Sequence, residues 1–335
     1  MAKRKTDEYI FADAYIGSFA KYLMTKKDLM RVATSKDLEG AEAILREYGY
    51  GEAPELKEGD IEGFIRREQN KLFNLIYDTL PDRKELAFLI YPFDYHNVKV
   101  CLKAELIGIT PDENYLVSTG DIDWQRIVAL VRDRNYDFMP EHMKNGIIEA
   151  MDLYSRSEDP QDVDIILDKA CYKHMVASAM ETGEDFLVGL VKTKIDVLNL
   201  SALVRLRQLG KTWDFFKYIY LEGGNIPLEM FISFYEEPFT RIGERLESYG
   251  YKDVMAIGAK SVADTGDFSL FEKMRDDALM EYNKKAKFHS FGIVPIAGYW
   301  YAKELEIDNL RIALTGNLFG FTPEEIEERL REPYV

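Results

Sequence analysis

The sequence predicts an all-α protein assembled from three alike helical units. Helical periodicity is the first reason. Apolar residues recur at three- and four-residue steps through Phe64–Leu80, Ile122–Arg134, Val163–Met180 and Trp300–Leu318, the spacing of an amphipathic helix. Stretches that alternate strictly with β-branched residues, as strands do, are few. A repeat is the second reason. One block is written three times, about a hundred residues apart, as Asp94–Thr110, Asp196–Thr212 and Glu306–Thr322. Each copy is anchored on an Asn: Asn97, Asn199 and Asn309. An acid precedes it by three positions. Gly108, Gly210 and Gly320 follow it by eleven, and Thr110, Thr212 and Thr322 by thirteen.

The repeat divides the chain into units 1–110, 111–212 and 213–335. Breakers inside them are short: Pro81-Asp82, Asp159-Pro160, Gly223-Gly224 and Asp264-Thr265-Gly266. No low-complexity linker separates the units, so they are expected to pack in one body. A second echo relates Leu45-Arg46-Glu47-Tyr48-Gly49-Tyr50 to Leu246-Glu247-Ser248-Tyr249-Gly250-Tyr251, with Asp152-Leu153-Tyr154 as its middle counterpart. Gly108 and Gly320 are placed to end helices, because glycine tolerates the left-handed backbone of a C-terminal cap. Thr110-Pro111-Asp112-Glu113 and Thr322-Pro323-Glu324-Glu325 read as capping boxes that begin the next helices. After Thr212 the box is degraded to Trp213-Asp214-Phe215.

On a helical wheel the residues one, four and five after each Asn fall at about 100°, 40° and 140°. Those three and ten after it fall near 300° and 280°. All are apolar in every copy. Polar residues gather opposite: Lys99, Ser201 and Arg311, then Lys103, Arg205 and Thr315. The Asn and its acid (Asp94, Asp196, Glu306) therefore lie inside the apolar arc. Buried amides and carboxylates without partners are costly. These pairs are read as braces to a neighbouring segment, with a ligand or ion site as the alternative.

Bulk composition narrows the function. The chain of 335 residues holds 59 acids and 43 bases, a net charge of −16. That argues against a general nucleic-acid binder and against electrostatic docking on an anionic leaflet, local patches aside. Cys101 and Cys171 form no disulfide framework or zinc spacing and are expected as buried thiols. The charged start Met1–Glu8 has no apolar stretch of a signal peptide behind it. Phe291–Ala302, interrupted by Pro295, falls short of the ~20 residues of a membrane span.

Catalytic patterns are missing. Gly210-Lys211-Thr212 mimics the end of a phosphate loop, but Arg205 stands where the loop needs its first Gly. His96, His142, His174 and His289 are isolated in sequence, and Glu141-His142 is read as solvated surface. Asp159, Asp162 and Asp164 frame a helix start, where acids suit the dipole. No cofactor is expected.

The stretch Ala302-Lys303-Glu304-Leu305-Glu306-Ile307-Asp308-Asn309-Leu310-Arg311-Ile312, with Gly320 and the ending Glu327–Val335, resembles the C subunit of prokaryotic V-type (A-type) ATPases. The d subunit is the eukaryotic V-ATPase counterpart. Asp94-Tyr95-His96-Asn97, Asp196-Val197-Leu198-Asn199 and Tyr15-Ile16-Gly17 fit the same family. The resemblance covers essentially the whole chain; Thr315 departs from it, since the other copies carry a base there. It implies a funnel of three helical subdomains about a pseudo-threefold axis. It also implies a non-catalytic component that joins the central stalk, made of the D and F subunits, to the proteolipid (c/K) ring on the cytoplasmic side and transmits torque. The rival readings are an unrelated helical scaffold and an all-α enzyme with a carboxylate-lined pocket.

Overall fold

The computed structural model describes residues 6–57 and 59–335, with side chains from Glu8 onward. Most of the charged start Met1–Glu8 therefore lies outside the described residues. Among these residues there are helices and no strand. The first five α-helices are α1 (Ile10–Ala20), α2 (Lys26–Ala33), α3 (Leu38–Glu47), α4 (Pro54–Lys57) and α5 (Ile61–Thr79). Next come α6 (Tyr91–Leu106), α7 (Trp124–Arg132), α8 (Glu141–Ser157), α9 (Pro160–Glu181), α10 (Asp185–Gln208), α11 (Trp213–Ile219) and α12 (Leu228–Phe234). The chain closes with α13 (Phe239–Arg245), α14 (Lys260–Thr265), α15 (Ser269–Asn283), α16 (Ile293–Leu318) and α17 (Pro323–Arg329). A π-helical turn, Val254–Ala259, leads into α14.

By compactness the chain forms two units. Asp82–Tyr235 makes one, carrying α6–α12. The described residues up to Pro81 join Glu236–Val335 in the other. The two ends of the chain meet because α16 packs on α5, α2 and α1. Asn317 Nδ2 donates to the carbonyls of Ala33 at 2.9 Å and Ser35 at 2.6 Å, fastening α16 to the end of α2. In the Asp82–Tyr235 unit α8 and α9 form a hairpin. Its turn places Glu158 at φ 56° before Pro160, at the first position of α9. The pair packs closely because Gly146 has no Cβ; one there would overlap the Ala170 methyl. Lys99–Asp168 (2.7 Å) and Lys103–Asp164 (2.8 Å) tie α6 to α9. Asp159 caps α9 by accepting from Gln161 N, as an acid at a helix start should. Both cysteines are buried, and burial pushes the Cys101 thiol up to about 11.

The three repeat helices end alike. Gly108, Gly210 and Gly320 have φ of 71°, 64° and 72°. The N–H of the next residue reaches back five positions each time: Ile109 to Ala104 O (3.0 Å), Lys211 to Leu206 O (2.9 Å), Phe321 to Gly316 O (2.9 Å). This is the Schellman closure, which satisfies carbonyls that a helix end leaves open. The apparent phosphate loop at Gly210-Lys211-Thr212 is this helix end.

The threonines do not share one role. Thr322 forms a capping box, accepting from Glu325 N at 3.2 Å while Glu325 accepts from Thr322 N at 2.8 Å. Thr212 precedes α11 but its hydroxyl caps nothing. Thr110 begins no helix, contrary to the sequence expectation. The chain stays extended until a short 3-10 turn, Glu113–Tyr115, which Asp112 caps through Asn114 N at 2.9 Å. The second echo is also corrected in its middle copy. Gly49 and Gly250 adopt φ of 82° and 85°, and Tyr50 and Tyr251 donate back to Leu45 and Leu246. Asp152–Tyr154 lies inside α8. Its place is taken by Leu130–Asn135, where Arg134 has φ 50° and Asn135 donates to Leu130 O at 2.9 Å. With no Gly at that position, the echo is invisible in the letters.

The capping difference is measurable. Thr322→Ala is expected to cost about 1 kcal/mol of stability, whereas Thr110→Ala leaves it within about 0.5 kcal/mol. Equal losses in urea melts of the two variants would contradict the assignment.

Candidate functional site

The acid and Asn of every copy are buried, at 0–5% exposure. What surrounds them explains both residue types. Asn97 pairs in both directions with one residue: Nδ2 donates to Val117 O at 2.9 Å and Oδ1 accepts from Val117 N at 2.8 Å. Asn199 does the same with Leu221, at 2.8 and 2.9 Å. Asn309 does so with Arg331, at 3.1 and 2.8 Å. A primary amide carries donor and acceptor side by side, so it completes a lone backbone N–H and C=O as a neighbouring strand would. Aspartate in its place would set oxygen against the carbonyl.

The acids face donors only. Asp94 accepts from Asp121 N and Ile122 N, both at 3.1 Å. Asp196 accepts from Asn225 N (2.8 Å), Ile226 N (3.0 Å) and Asn225 Nδ2 (2.8 Å). Glu306 accepts from Met24 N (2.5 Å), Tyr50 Oη (2.6 Å) and Lys303 Nζ (2.6 Å). A carboxylate, acceptor at every lone pair, suits such a nest. Gly120 and Gly224 are required beside it, because a Cβ at either would overlap the aspartate oxygen.

These contacts share one pattern. Ile122 lies just before α7, Ile226 just before α12 and Met24 just before α2. Each block thus holds the entry to a helix, and the third block reaches back to the entry of α2, near the start of the chain. The main partners of these acids and amides are backbone atoms. Sequence reading finds the acids and amides but not what they hold. A signal exists in Gly120-Asp121-Ile122 and Gly224-Asn225-Ile226, which recur at similar distances after their acids.

One part of the helical wheel needs correction. The tenth residue after each Asn falls in its apolar arc. Ile107, Leu209 and Phe319 are instead each 70% exposed, because the helix ends there and the arc no longer faces a core. Ser201, on the polar side of the wheel, is buried and returns its hydroxyl to Val197 O at 2.7 Å.

The histidines are not all isolated. Tyr91, His174 and His142 stack in series, with ring centroids 4.0 and 5.0 Å apart. The two histidines are distant in sequence, and the α8–α9 hairpin joins them. Burial, with His142 as neighbour, pulls His174 down to about 4, so it is neutral near pH 7. The stack borders a cleft of about 310 Å³ that also meets Lys84, Asp121 and Glu181. No group of three metal-ligating side chains occurs among the described residues.

The first brace differs electrostatically from the others. Burial pushes Asp94 up to about 7 against the pull of its two N–H donors, and Asp121 adds a like charge. Asp196 has Asn225 at the matching position. A folded-state value raised above 3.8 contributes stability below about pH 4, and that contribution fades as pH rises through about 7. Asp121→Asn should therefore stabilise the protein by roughly 0.5 kcal/mol at pH 8, the screened worth of a partly solvated charge, and by nothing at pH 4. A gain equal at both pH values would rule out this origin. Asn199→Ala strands both polar groups of Leu221 and is expected to cost about 2–4 kcal/mol; a parent-like melt would refute the brace.

A family model described as ATP synthase (C/AC39) subunit matches residues 12–329. The C subunit of the V-type sodium ATPase of Enterococcus hirae is 24% identical, over 82% of this chain and 83% of its own. The C subunit of the A-type ATP synthase of Methanocaldococcus jannaschii is 26% identical, over 96% and 86%. That of Methanococcoides burtonii is 25% identical, over 73% and 71%. With the match spanning all three braced blocks, the chain belongs to the C/AC39 family of V- and A-type ATPase subunits, a non-catalytic component of a rotary ATPase.

Proposed function

We propose that this protein is the coupler of its ATPase, joining the D and F subunits of the central stalk to the membrane proteolipid ring on the cytoplasmic side. It transmits torque between ATP turnover and ion movement. The observation that carries this reading is the brace written three times, its third copy reaching back from Glu306 to Met24. Torque transmission needs stiffness, and stiffness follows when each long helix is pinned to a helix entry by buried or partly buried hydrogen bonds. The units 1–110, 111–212 and 213–335, arranged as a funnel, belong to this reading. So does the role of Asp94, Asn97, Asp196, Asn199, Glu306 and Asn309, with the Gly and Thr of each block, as the frame.

The unrelated-scaffold reading has no support once the family is known. No helix is long and apolar enough to cross a membrane among the described residues, so on this reading attachment runs through partner proteins of the complex. The test is reconstitution. The purified chain should capture a D–F pair and bind a detergent-solubilised proteolipid ring, and the two bindings should be compatible in one assembly. Failure to bind either partner would end the proposal.

A further inference from the structure

Helix α1, Ile-Phe-Ala-Asp-Ala-Tyr-Ile-Gly-Ser-Phe-Ala, is apolar nearly all round, with Asp13 its one charged residue. Such a helix is normally enclosed, yet it buries only Ala12 and Ile16 fully. Ile10, Phe11 and Tyr15 point outward at 58, 71 and 43% exposure. Phe11 and Tyr15 stack at 5.7 Å, one turn apart. Gly292 N donates to Asp13 Oδ2 at 2.7 Å, bringing the segment before α16 against this helix. That segment carries Phe288 and Phe291 at 87 and 63% exposure, preceded by the lysines of Lys284-Lys285-Ala286-Lys287-Phe288.

Charge separates this region from the rest. Residues 8–21 and 284–291 hold four bases and two acids, a net +2, which leaves 39 bases and 57 acids, a net −18, elsewhere. Lys284 shares Glu332 at 3.3 Å, Lys287 donates to the Tyr334 carbonyl, and Glu281 is close by. Lys285 and Lys21 lie over the rings of Tyr282 and Tyr22, at 4.5 and 5.0 Å. Screening over about 8 Å at physiological salt confines the acidic bulk to its own surroundings.

We propose that the outward face of α1 and the adjoining 284–291 segment form a docking surface for an anionic lipid bilayer. Phe and Ile side chains entering the headgroup–acyl boundary, with lysines at headgroup level, are the pairing such surfaces bind. Eleven residues span roughly 16 Å, about half a hydrocarbon core, so the helix lies on the membrane and does not cross it. The local patch is the exception that the net charge leaves open. It rests on residues of this chain alone and not on the coupler assignment.

Flotation of the full chain with vesicles tests it, using phosphatidylcholine alone and phosphatidylcholine mixed with phosphatidylglycerol. At low salt the protein should float with the anionic vesicles and be released by high salt. Phe11→Ser with Phe288→Ser should lower partitioning at least about tenfold, and Lys21→Gln with Lys285→Gln about fivefold per lysine. All four positions are solvent-facing, so parent-like circular dichroism is expected and verifies folding. No flotation of the parent, or parent-like flotation of the folded variants, overturns the proposal. So does a parent that binds only a delipidated proteolipid ring and loses that binding in the variants, which would assign the face to protein. Ring capture that persists in the variants leaves the coupler reading intact whatever the vesicles show.

Discussion

Partly buried backbone N–H and C=O groups with no secondary-structure partner are the constraint around which this fold is arranged. Val117, Leu221 and Arg331 each lie in irregular chain pressed on a long helix, with N–H and C=O turned inward. These groups are partly buried, and leaving either one unpaired costs up to about 1–3 kcal/mol. A helix has no backbone groups to spare for a neighbour, so the partner must be a side chain. An amide alone offers donor and acceptor in the needed geometry at once. Three residues earlier on the same face, the incoming chain of the first two copies shows only N–H groups, and the matching residue is a carboxylate. Peptide orientation thus dictates Asn at one position and acid at the other.

That logic accounts for what is legible in the sequence. The acids, amides and terminal glycines stand out because their chemistry admits few substitutes, and it recurs with the block. Their partners stay hidden because they are backbone atoms, present at every residue. Thr110 and Thr322 look alike in context, yet only Thr322 starts a helix; the segment after Thr110 is held extended toward Val117 by Asn97. Arg134 stands where Gly49 and Gly250 stand, in the same left-handed backbone. A glycine-based search passes over it. The His142–His174 stack and the exposed Ile107, Leu209 and Phe319 depend on packing and on where a helix stops, which periodicity does not state.

The middle of the chain shows how the frame tolerates variation. Two helices, α2 and α3, lie between Met24 and the Gly49 turn, and α12 and α13 lie between Ile226 and the Gly250 turn. Between Ile122 and the Arg134 turn there is only α7. One helix there begins at the braced entry and ends at the left-handed residue, taking the place of two. What all three share is the entry, the exit and the braced contact. The length between them is free to change, because no bond of the brace depends on it.

The third brace must also do without a short tether. Asp94 and Ile122 are 28 residues apart, whereas Glu306 and Met24 are separated by 282. By loop-closure entropy a tenfold longer separation costs about 2 kcal/mol more, if assigned to this contact alone. The chemistry changes where the connection does. The two peptide N–H donors of the first copy give way to one peptide N–H, the Tyr50 hydroxyl and the Lys303 ammonium. Lys303 also lies over the Tyr50 ring at 4.0 Å. Hydrogen bonds to charged groups contribute about 1.5–3 kcal/mol each, enough to offset the missing tether. Glutamate, one methylene longer than the aspartate of the other copies, reaches donors set on α16 itself and on the turn after α3. The departure of the third acid from its counterparts therefore goes with a contact made across 282 residues of chain.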